Sequence, residues 1–160
     1  MKKLIIILLL TTSIAALAAE KGVDITVNLT PLGSFHVKSS KLKGKLIQKG
    51  KGFIGKEFYV KIKTMKTGID LRDDHMKKRL SPKKHPKIIV TGVKASGGKG
   101  VGRISIKGIK KPFKFTYKVA GKIMKANFKL NLEHFKIKDL SYMGVGAKKI
   151  VDVKANIPIK

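Results

Sequence analysis

Apolar and polar residues alternate along most of this 160-residue chain. Over residues 113–119, aromatic or aliphatic residues occupy every second position, and lysine or threonine fills the positions between them. The same period of two recurs over residues 58–62, 128–132 and 151–159. This period is typical of antiparallel strands that bury one face and expose the other to water. The pattern predicts about eight or nine strands.

The connections between these segments are short and contain glycine, as at residues 49–52, 96–100 and 120–122. Such connections predict hairpin turns, so that strands adjacent in sequence are also adjacent in the sheet. A sheet with one apolar face must bury that face, either by closing into a barrel or by stacking as a sandwich. The alternation itself is compatible with both arrangements.

One segment, residues 71–80, interrupts the strand pattern and predicts a short mid-chain helix. Asp70 or Asp73 is placed to cap its start, and basic residues at its end complement the helix dipole. Met76 and Leu80 are four residues apart and therefore share one face. We expect that face to point into the core.

The first 18 residues have the order of a secretory signal peptide. Two lysines precede an apolar run over residues 4–10, and Ala16 and Ala18 form an A-x-A cleavage pattern. The apolar run is shorter than the roughly 20 residues that a membrane-spanning helix needs. We therefore expect cleavage after Ala18 or Ala19 and export to the periplasm.

The remaining residues, 19–160, are enough for one domain with a sizeable core. The chain has no cysteine, which excludes disulfides, thiolate metal sites and lipid attachment through a cysteine. It carries 37 Lys and Arg residues against 9 Asp and Glu, a formal net charge of +28. Such an excess either solvates the outer faces of strands or attracts an anionic partner such as a membrane surface.

The positive charge is nearly all lysine and is spread along the chain. Only Arg72, Arg79 and Arg103 are arginine, whereas proteins that read nucleic acid favour the arginine fork. The sequence therefore predicts no nucleic-acid partner. It leaves open a peripheral contact between outward-facing lysines and an anionic membrane.

No motif in the chain predicts catalysis, a metal or a cofactor. Residues 50–57 resemble a phosphate-binding loop, but Glu57 stands where serine or threonine must reach magnesium. The four histidines lack metal-ligand spacing, and no nucleophile motif is present. We therefore expect that the protein is not an enzyme and that it binds no cofactor other than, at most, a lipid or a quinone.

The inward-facing apolar residues predict either a packed core or the wall of a lumen that admits a ligand. Periodicity does not distinguish these two arrangements, because both require the same residues to face inward. The candidate lumen residues are Phe35, Val37, Phe53, Phe58, Val60, Ile62, Met76, Leu80, Ile104, Ile106, Phe113, Phe115, Tyr117, Phe128 and Leu130.

Five segments in a fixed order resemble the YceI-like family of periplasmic proteins, over roughly residues 32–159. They are an opening S-F-H-V strand, a T-G…R-D-x-H-M segment, an H-P-K-I entry into a strand, an I-S-I-K-G-I-K-K-P strand and a late strand with its Asn and Phe. The family-motif positions are Arg72, Asp73, His75, Gly108 and Pro112.

The resemblance implies a closed, lipocalin-like antiparallel β-barrel of about eight strands, with the helix inserted mid-chain. It also implies that the lumen holds a long isoprenoid chain, of the polyprenyl or quinone type, for transport or storage in the periplasm. The protein would act as a monomer or homodimer. The alternative function is a cationic periplasmic protein that docks on anionic lipid or polymer through its lysines.

Overall fold

The structure, a computed structural model, describes residues 20–142 and 144–160, so the predicted signal peptide lies outside the described residues. Eleven strands, one α-helix and two 3₁₀ helices form within these ranges. The strands are β1 Gly22–Thr30, β2 Ser34–Ser39, β3 Ile47–Lys49, β4 Gly52–Lys61, β5 Lys87–Ser96, β6 Lys99–Ile106, β7 Ile109–Ala120, β8 Ile123–Asn131, β9 Ser141–Tyr142, β10 Val145–Ala147 and β11 Ile150–Pro158. The helix α1 is Asp70–Leu80, and the 3₁₀ helices are Ile62–Thr64 and Leu132–Phe135.

All strand pairs are antiparallel and belong to one sheet. Its order is β3-β4-β5-β6-β7-β8-β11-β1-β10-β9, and β2 pairs with β1 off this path. Eight of the described strands have six or more residues, and β3, β9 and β10 are the short additions. The prediction of an all-β fold with one short helix is therefore confirmed.

The alternation of the sequence becomes an alternation of burial. Along β6, every second residue is buried and the residues between them are exposed or half-buried, and β11 follows the same pattern. The hairpins form where the glycines predict them, with positive φ at Gly97 and Gly98 between β5 and β6 and at Gly121 between β7 and β8. The buried side chains, at every second position of these strands, therefore point into the concave side of the sheet.

The sheet curls into an open half-barrel, and the described residues do not form the closed barrel expected from the sequence. No continuous ladder joins β2 to β4 within these ranges. Only single bridges cross this gap, between Lys38 and Lys66 and between Lys43 and Tyr59. Between Ser40 and Leu46 the chain forms isolated bridges at Lys43 and Leu46 but no strand, and it buries its leucines in the core.

A β-bulge contributes to the curl. The register between β5 and β6 shifts between Thr91 and Lys94, around Gly92, whose φ is +62°. A bulge bends its strand and increases the local twist. Glycine adopts the left-handed conformation needed there without strain.

Helix α1 bridges β2 and the loop after the second 3₁₀ helix. Near its start the guanidinium of Arg72 lies over the ring of Phe35, and near its end Arg79 donates a hydrogen bond to the backbone oxygen of Lys138. The predicted capping by Asp70 or Asp73 is wrong, because the N-cap residue is Ile69 and no side chain caps it. The carboxylate of Asp73 accepts hydrogen bonds from Thr67 in the preceding loop instead.

One apolar core runs through the half-barrel. The largest fully buried side chains are those of Phe135, Leu46, Ile62 and Met124. Over residues 20–142 and 144–160, the structure contains no helix that combines the length and apolarity needed to span a bilayer.

Candidate functional site

The concave side of the sheet, together with α1, encloses a cavity of about 1020 Å³. Its wall consists mostly of Val, Ile, Leu, Phe and Ala side chains. Ligand cavities commonly measure roughly 300–1,000 Å³, so this one lies at the upper end of that range. An apolar cavity of this size suits a large apolar ligand.

Most of the lumen residues predicted from sequence line this cavity. They come from β2, β4, α1, β6, β7 and β8, which the curl of the sheet brings around a common space. The twelve are Phe35, Val37, Phe58, Val60, Met76, Leu80, Ile104, Ile106, Phe113, Phe115, Phe128 and Leu130.

Three of the candidates lie elsewhere. Ile62 is 1% exposed and begins a 3₁₀ helix, where strand alternation no longer decides its direction. Phe53 and Tyr117 contact each other edge-on, with ring centroids 5.9 Å apart. Phe53 lines a second cavity of about 810 Å³, and Phe115 borders both cavities. Phe115 is therefore common to the walls of the two cavities.

Aromatic rings form a continuous row along the inner face of β7. Phe113 contacts Phe128 at 4.6 Å and Phe115 at 5.8 Å, and Phe115 contacts Tyr117 at 6.3 Å between ring centroids. Aromatic pairs at these separations stabilise one another beyond the area that they bury. Phe113, Phe115 and Phe128 of this row line the cavity, whereas Tyr117 lies outside it.

The wall also contains residues that the sequence prediction missed. The alternation over residues 151–159 predicts the inward face of β11, but the predicted lining does not include it. Inward residues of β1 and β11 supply much of the missed wall, namely Val23, Ile25, Val27, Leu29, Val151, Val153, Ala155 and Ile157.

Helix α1 contributes both apolar and charged side chains to the cavity. Met76 and Leu80 line it as expected, but so do Arg72, His75 and Arg79. These residues recur at spacings of three or four, which places them on one face of a helix. The end of the cavity beside α1 is therefore polar and positively charged.

Asp73, a family-motif position, lies outside the cavity. Its carboxylate is 2% exposed and accepts hydrogen bonds from the backbone N–H of Thr67 at 2.7 Å and from the Thr67 hydroxyl at 2.8 Å. The ammonium of Lys66 lies 3.2 Å from its second oxygen. Burial alone would raise the pKa of Asp73, but the Thr67 hydrogen bonds and Lys66 hold it below its ordinary value. Asp73 anchors the loop that leads into α1.

Gly108 and Pro112, two further family-motif positions, also lie outside the cavity. Lys107 and Gly108 both have positive φ, 52° and 76°, and form the two-residue turn between β6 and β7. A Cβ at Gly108 would approach the ring of His85 to 2.9 Å. Pro112 is exposed and pairs with Arg103. These positions shape the hairpin.

Within the described ranges, no three His, Asp or Glu side chains come close enough together to hold a metal ion. Among the described residues, the charged side chains of the cavity wall include those of Arg72, Lys78 and Arg79, and the titratable side chains of His75 and Tyr59 line it too. What the site can do is bury apolar surface and attract negative charge at one end.

Comparisons with known proteins agree with this architecture. The sequence profile of the YceI-like domain matches residues 14–159. The structure of Burkholderia cenocepacia BcnA is similar with a TM-score of 0.65 at 14% identity, over 84% of this chain and 94% of that one. A polyisoprenoid binding domain from Saccharophagus degradans, implicated in plant cell wall breakdown, is similar with a TM-score of 0.63 at 10% identity, over 85% and 91%.

At these identities the two structures establish a common fold. No curated protein sequence matches the chain closely enough to count as a relative.

Proposed function

Because the chain belongs to the YceI-like family, we propose that it binds a long isoprenoid chain, of the polyprenyl or quinone type, inside the half-barrel. The observation that carries this proposal is the apolar cavity of about 1020 Å³. The polyisoprenoid binding domain that shares the fold supports the choice of ligand class. Binding needs no chemical step, so the protein acts as a carrier or store without catalysis.

The energy of binding comes from the transfer of apolar surface out of water. Each buried CH₂ group contributes about 0.8 kcal/mol, so a chain of several isoprene units gains enough to offset the loss of its freedom of motion. Phe113 and Phe115 of β7, Phe128 of β8 and the aliphatic residues of β1 and β11 provide the receiving surface. The same cavity accepts any isoprenoid of suitable length, because its wall contacts the repeating hydrocarbon.

We place this function in the periplasm. Residues 1–18 have the features of a cleaved signal peptide, and residues 19–160 would then form the single mature domain. Amino-terminal sequencing of protein from the periplasmic fraction should begin at Ala19 or Glu20. Recovery of the chain in the inner membrane with Met1 still attached would contradict export.

Native mass spectrometry of protein purified from its own periplasm tests the binding proposal directly. We expect a population heavier than the bare chain by the mass of one isoprenoid lipid, released on denaturation. The affinity for a neutral prenol should change little with added salt, since apolar burial has no charges to screen. Protein that never carries lipid and takes up no prenol at any salt concentration would contradict the proposal.

A second candidate function is docking on an anionic bilayer. Exposed apolar side chains line the cavity, with Ile69 50% and Leu71 57% exposed at the start of α1 and Val145 44% exposed on β10. Without Lys2 and Lys3 of the signal peptide, a formal net charge of +26 would attract such a bilayer, at roughly 1 kcal/mol per lysine near the surface. Docking there would place the cavity against the lipid that it takes up. Binding to anionic vesicles should weaken as salt rises and when Leu71 is replaced by serine.

A further inference from the structure

The ladder between β7 and β8 ends halfway along the two strands. Its last pair is Thr116 with Asn127. Beyond that pair, residues 109–115 of β7 remain paired with β6 but have no strand partner on their other edge. Residues 128–131 of β8 likewise pair with β11 alone. Between these two ranges, which the structure describes in full, the wall of the half-barrel therefore contains a seam that no backbone ladder joins.

Pro112 lies on the edge of β7 that borders the seam. The two-residue turn makes Ile106 and Ile109 a hydrogen-bonded pair, and from there the backbone groups of β7 point alternately towards β6 and away from it. The N–H of Tyr117 follows this pattern, since it donates to the oxygen of Gly98 on the β6 side. The backbone of Pro112 therefore points towards the seam. Because proline has no N–H, a ladder continued along β8 would lack a hydrogen bond at this position.

Two aromatic rings meet across the seam on its inner side. Phe113 comes from β7 and Phe128 from β8, and their ring centroids lie 4.6 Å apart. Both side chains are half-buried and line the cavity. Beyond them, the ammonium of Lys107 donates to the backbone oxygen of Lys136 at 3.0 Å. The contacts that cross the seam are thus made by side chains.

This difference makes the seam the part of the wall that opens most easily. Separating two strands of a ladder breaks a series of backbone hydrogen bonds, each of which stabilises the sheet. Separating Phe113 from Phe128 requires only that the rings change rotamer, which is a fast motion for side chains that are not fully buried. A ligand that fills the cavity must cross its wall, and the seam leads directly from the apolar lining to the outside.

We propose that the seam is a lateral portal through which the isoprenoid chain enters and leaves the cavity, and that the rings of Phe113 and Phe128 are its gate. This inference rests on the proposed function and adds a route to it. The chain passes between the strands when the rings turn apart, and the rings then return to the wall and contact the bound hydrocarbon. Such a gate sets the rates of uptake and release and leaves the affinity unchanged, because it alters the barrier and not the end states.

A disulfide across the seam tests the portal, and the absence of native cysteine makes the introduced pair unique. The double variant Lys114→Cys and Lys129→Cys has one thiol on each strand, two residues beyond the last pair. Protein loaded with a fluorescent geranylgeraniol analogue is oxidised and mixed with excess phosphatidylcholine vesicles. We expect oxidation to slow release at least about tenfold and reductant to restore it. Oxidation before loading should slow uptake by the same factor, with an unchanged dissociation constant.

The double variant Lys118→Cys and Lys125→Cys is the matched control. These two lysines are also exposed, but they already face each other within the ladder of β7 and β8. Oxidation of this pair should therefore change neither rate. Each variant is compared with its own reduced form, so the lost ion pair between Lys129 and Asp152 does not enter the comparison.

Should the seam cysteines not join, Phe113→Leu provides the test by itself. A smaller gate side chain should speed uptake and release beyond what its change in affinity accounts for. Phe115→Leu is the control, because its ring lines the same cavity from the same strand but packs against Gly100 on β6. Its release rate should rise only as far as its affinity falls.

The outcomes separate the portal from the function on which it rests. Unchanged release through a formed seam disulfide overturns the portal and leaves isoprenoid binding intact. Equal slowing by both disulfides also overturns it, because the cause would then be a stiffer sheet. So does a Phe113→Leu variant whose rates follow its affinity alone. Native protein that takes up no prenol overturns both proposals.

Discussion

The aromatic ring of Phe115 lies against the backbone of Gly100, its partner in register on the neighbouring strand. A Cβ at position 100 would fall inside the van der Waals envelope of that ring. The missing side chain on β6 thus makes room for the large one on β7. This pair positions the ring of Phe115, a residue common to the walls of both cavities.

Replacement of Gly100 by alanine should therefore destabilise the protein by about 1–3 kcal/mol, the usual cost of overpacking. The added methyl group forces the Phe115 ring away from β6 and into the main cavity. Urea unfolding measures the loss, and displaced ligand should accompany it. Gly146→Ala is the control, because nothing lies within 4 Å of a Cβ there. An equal effect at both positions would contradict the close approach.

The cavity predicts unequal costs for two phenylalanine truncations. Phe135 is 1% exposed and does not line the cavity, so Phe135→Ala should cost about 3–5 kcal/mol. Phe128 is half-buried and borders open space, so Phe128→Ala should cost less and instead weaken prenol retention. Equal losses of the free energy of unfolding, with retention unchanged, would indicate a packed core.

Removal of the Asp73 carboxylate should loosen the start of α1. Asp73→Ala leaves the part-buried N–H of Thr67 without its acceptor, at a cost of about 1–3 kcal/mol. Asp74→Ala, one residue further along the helix and exposed, should change stability by less than about 0.5 kcal/mol. Chemical denaturation of the two variants beside the native chain decides between them. A neutral Asp73→Ala would mean that the loop does not depend on this contact.

The lowered pKa of Asp73 predicts how its contribution varies with pH. A carboxyl group whose pKa is lower in the folded state than in the unfolded state stabilises the protein at pH values above its ordinary pKa, which is 3.8 for aspartate. This stabilisation is lost as pH falls through the folded-state pKa. Asp73→Asn keeps an acceptor and removes the charge. The stability difference between native and Asp73→Asn protein should be constant from about pH 7 to 5 and shrink below pH 3.8. A difference that grows in acid would reverse the assigned sign.

Local patterns in the sequence sufficed to predict most of the fold and much of the site. The alternation over residues 113–119 predicted β7 and its inward face, because side chains of a strand project to opposite sides with a period of two. The polar segment over residues 71–80 predicted α1 to within one residue. Its Met76 and Leu80 line the cavity, since a spacing of four places them on one helix face.

The capping of α1 and individual side-chain contacts were harder to predict from the sequence. The sequence offered Asp73 as a helix cap, whereas its carboxylate turns towards Thr67, six residues earlier. The helix N-terminus and Thr67 both lie within reach of the Asp73 side chain. The path of the loop before α1 decides which of the two it contacts. Likewise Ile62 continues the alternation of β4 in sequence, but the chain turns into a 3₁₀ helix at that residue.

The sequence by itself determined that strands would form, where they would turn and which side chains would face inward, because these properties depend on neighbouring residues. Tertiary structure decided that the sheet stays an open half-barrel, since closure requires a ladder between β2 and β4, and the leucines of the segment between them are buried instead. It also decided that a cavity remains inside, and that Arg72 and Arg79 share its wall. Periodicity specifies the direction of a side chain, whereas the space beyond that side chain depends on strands distant in sequence.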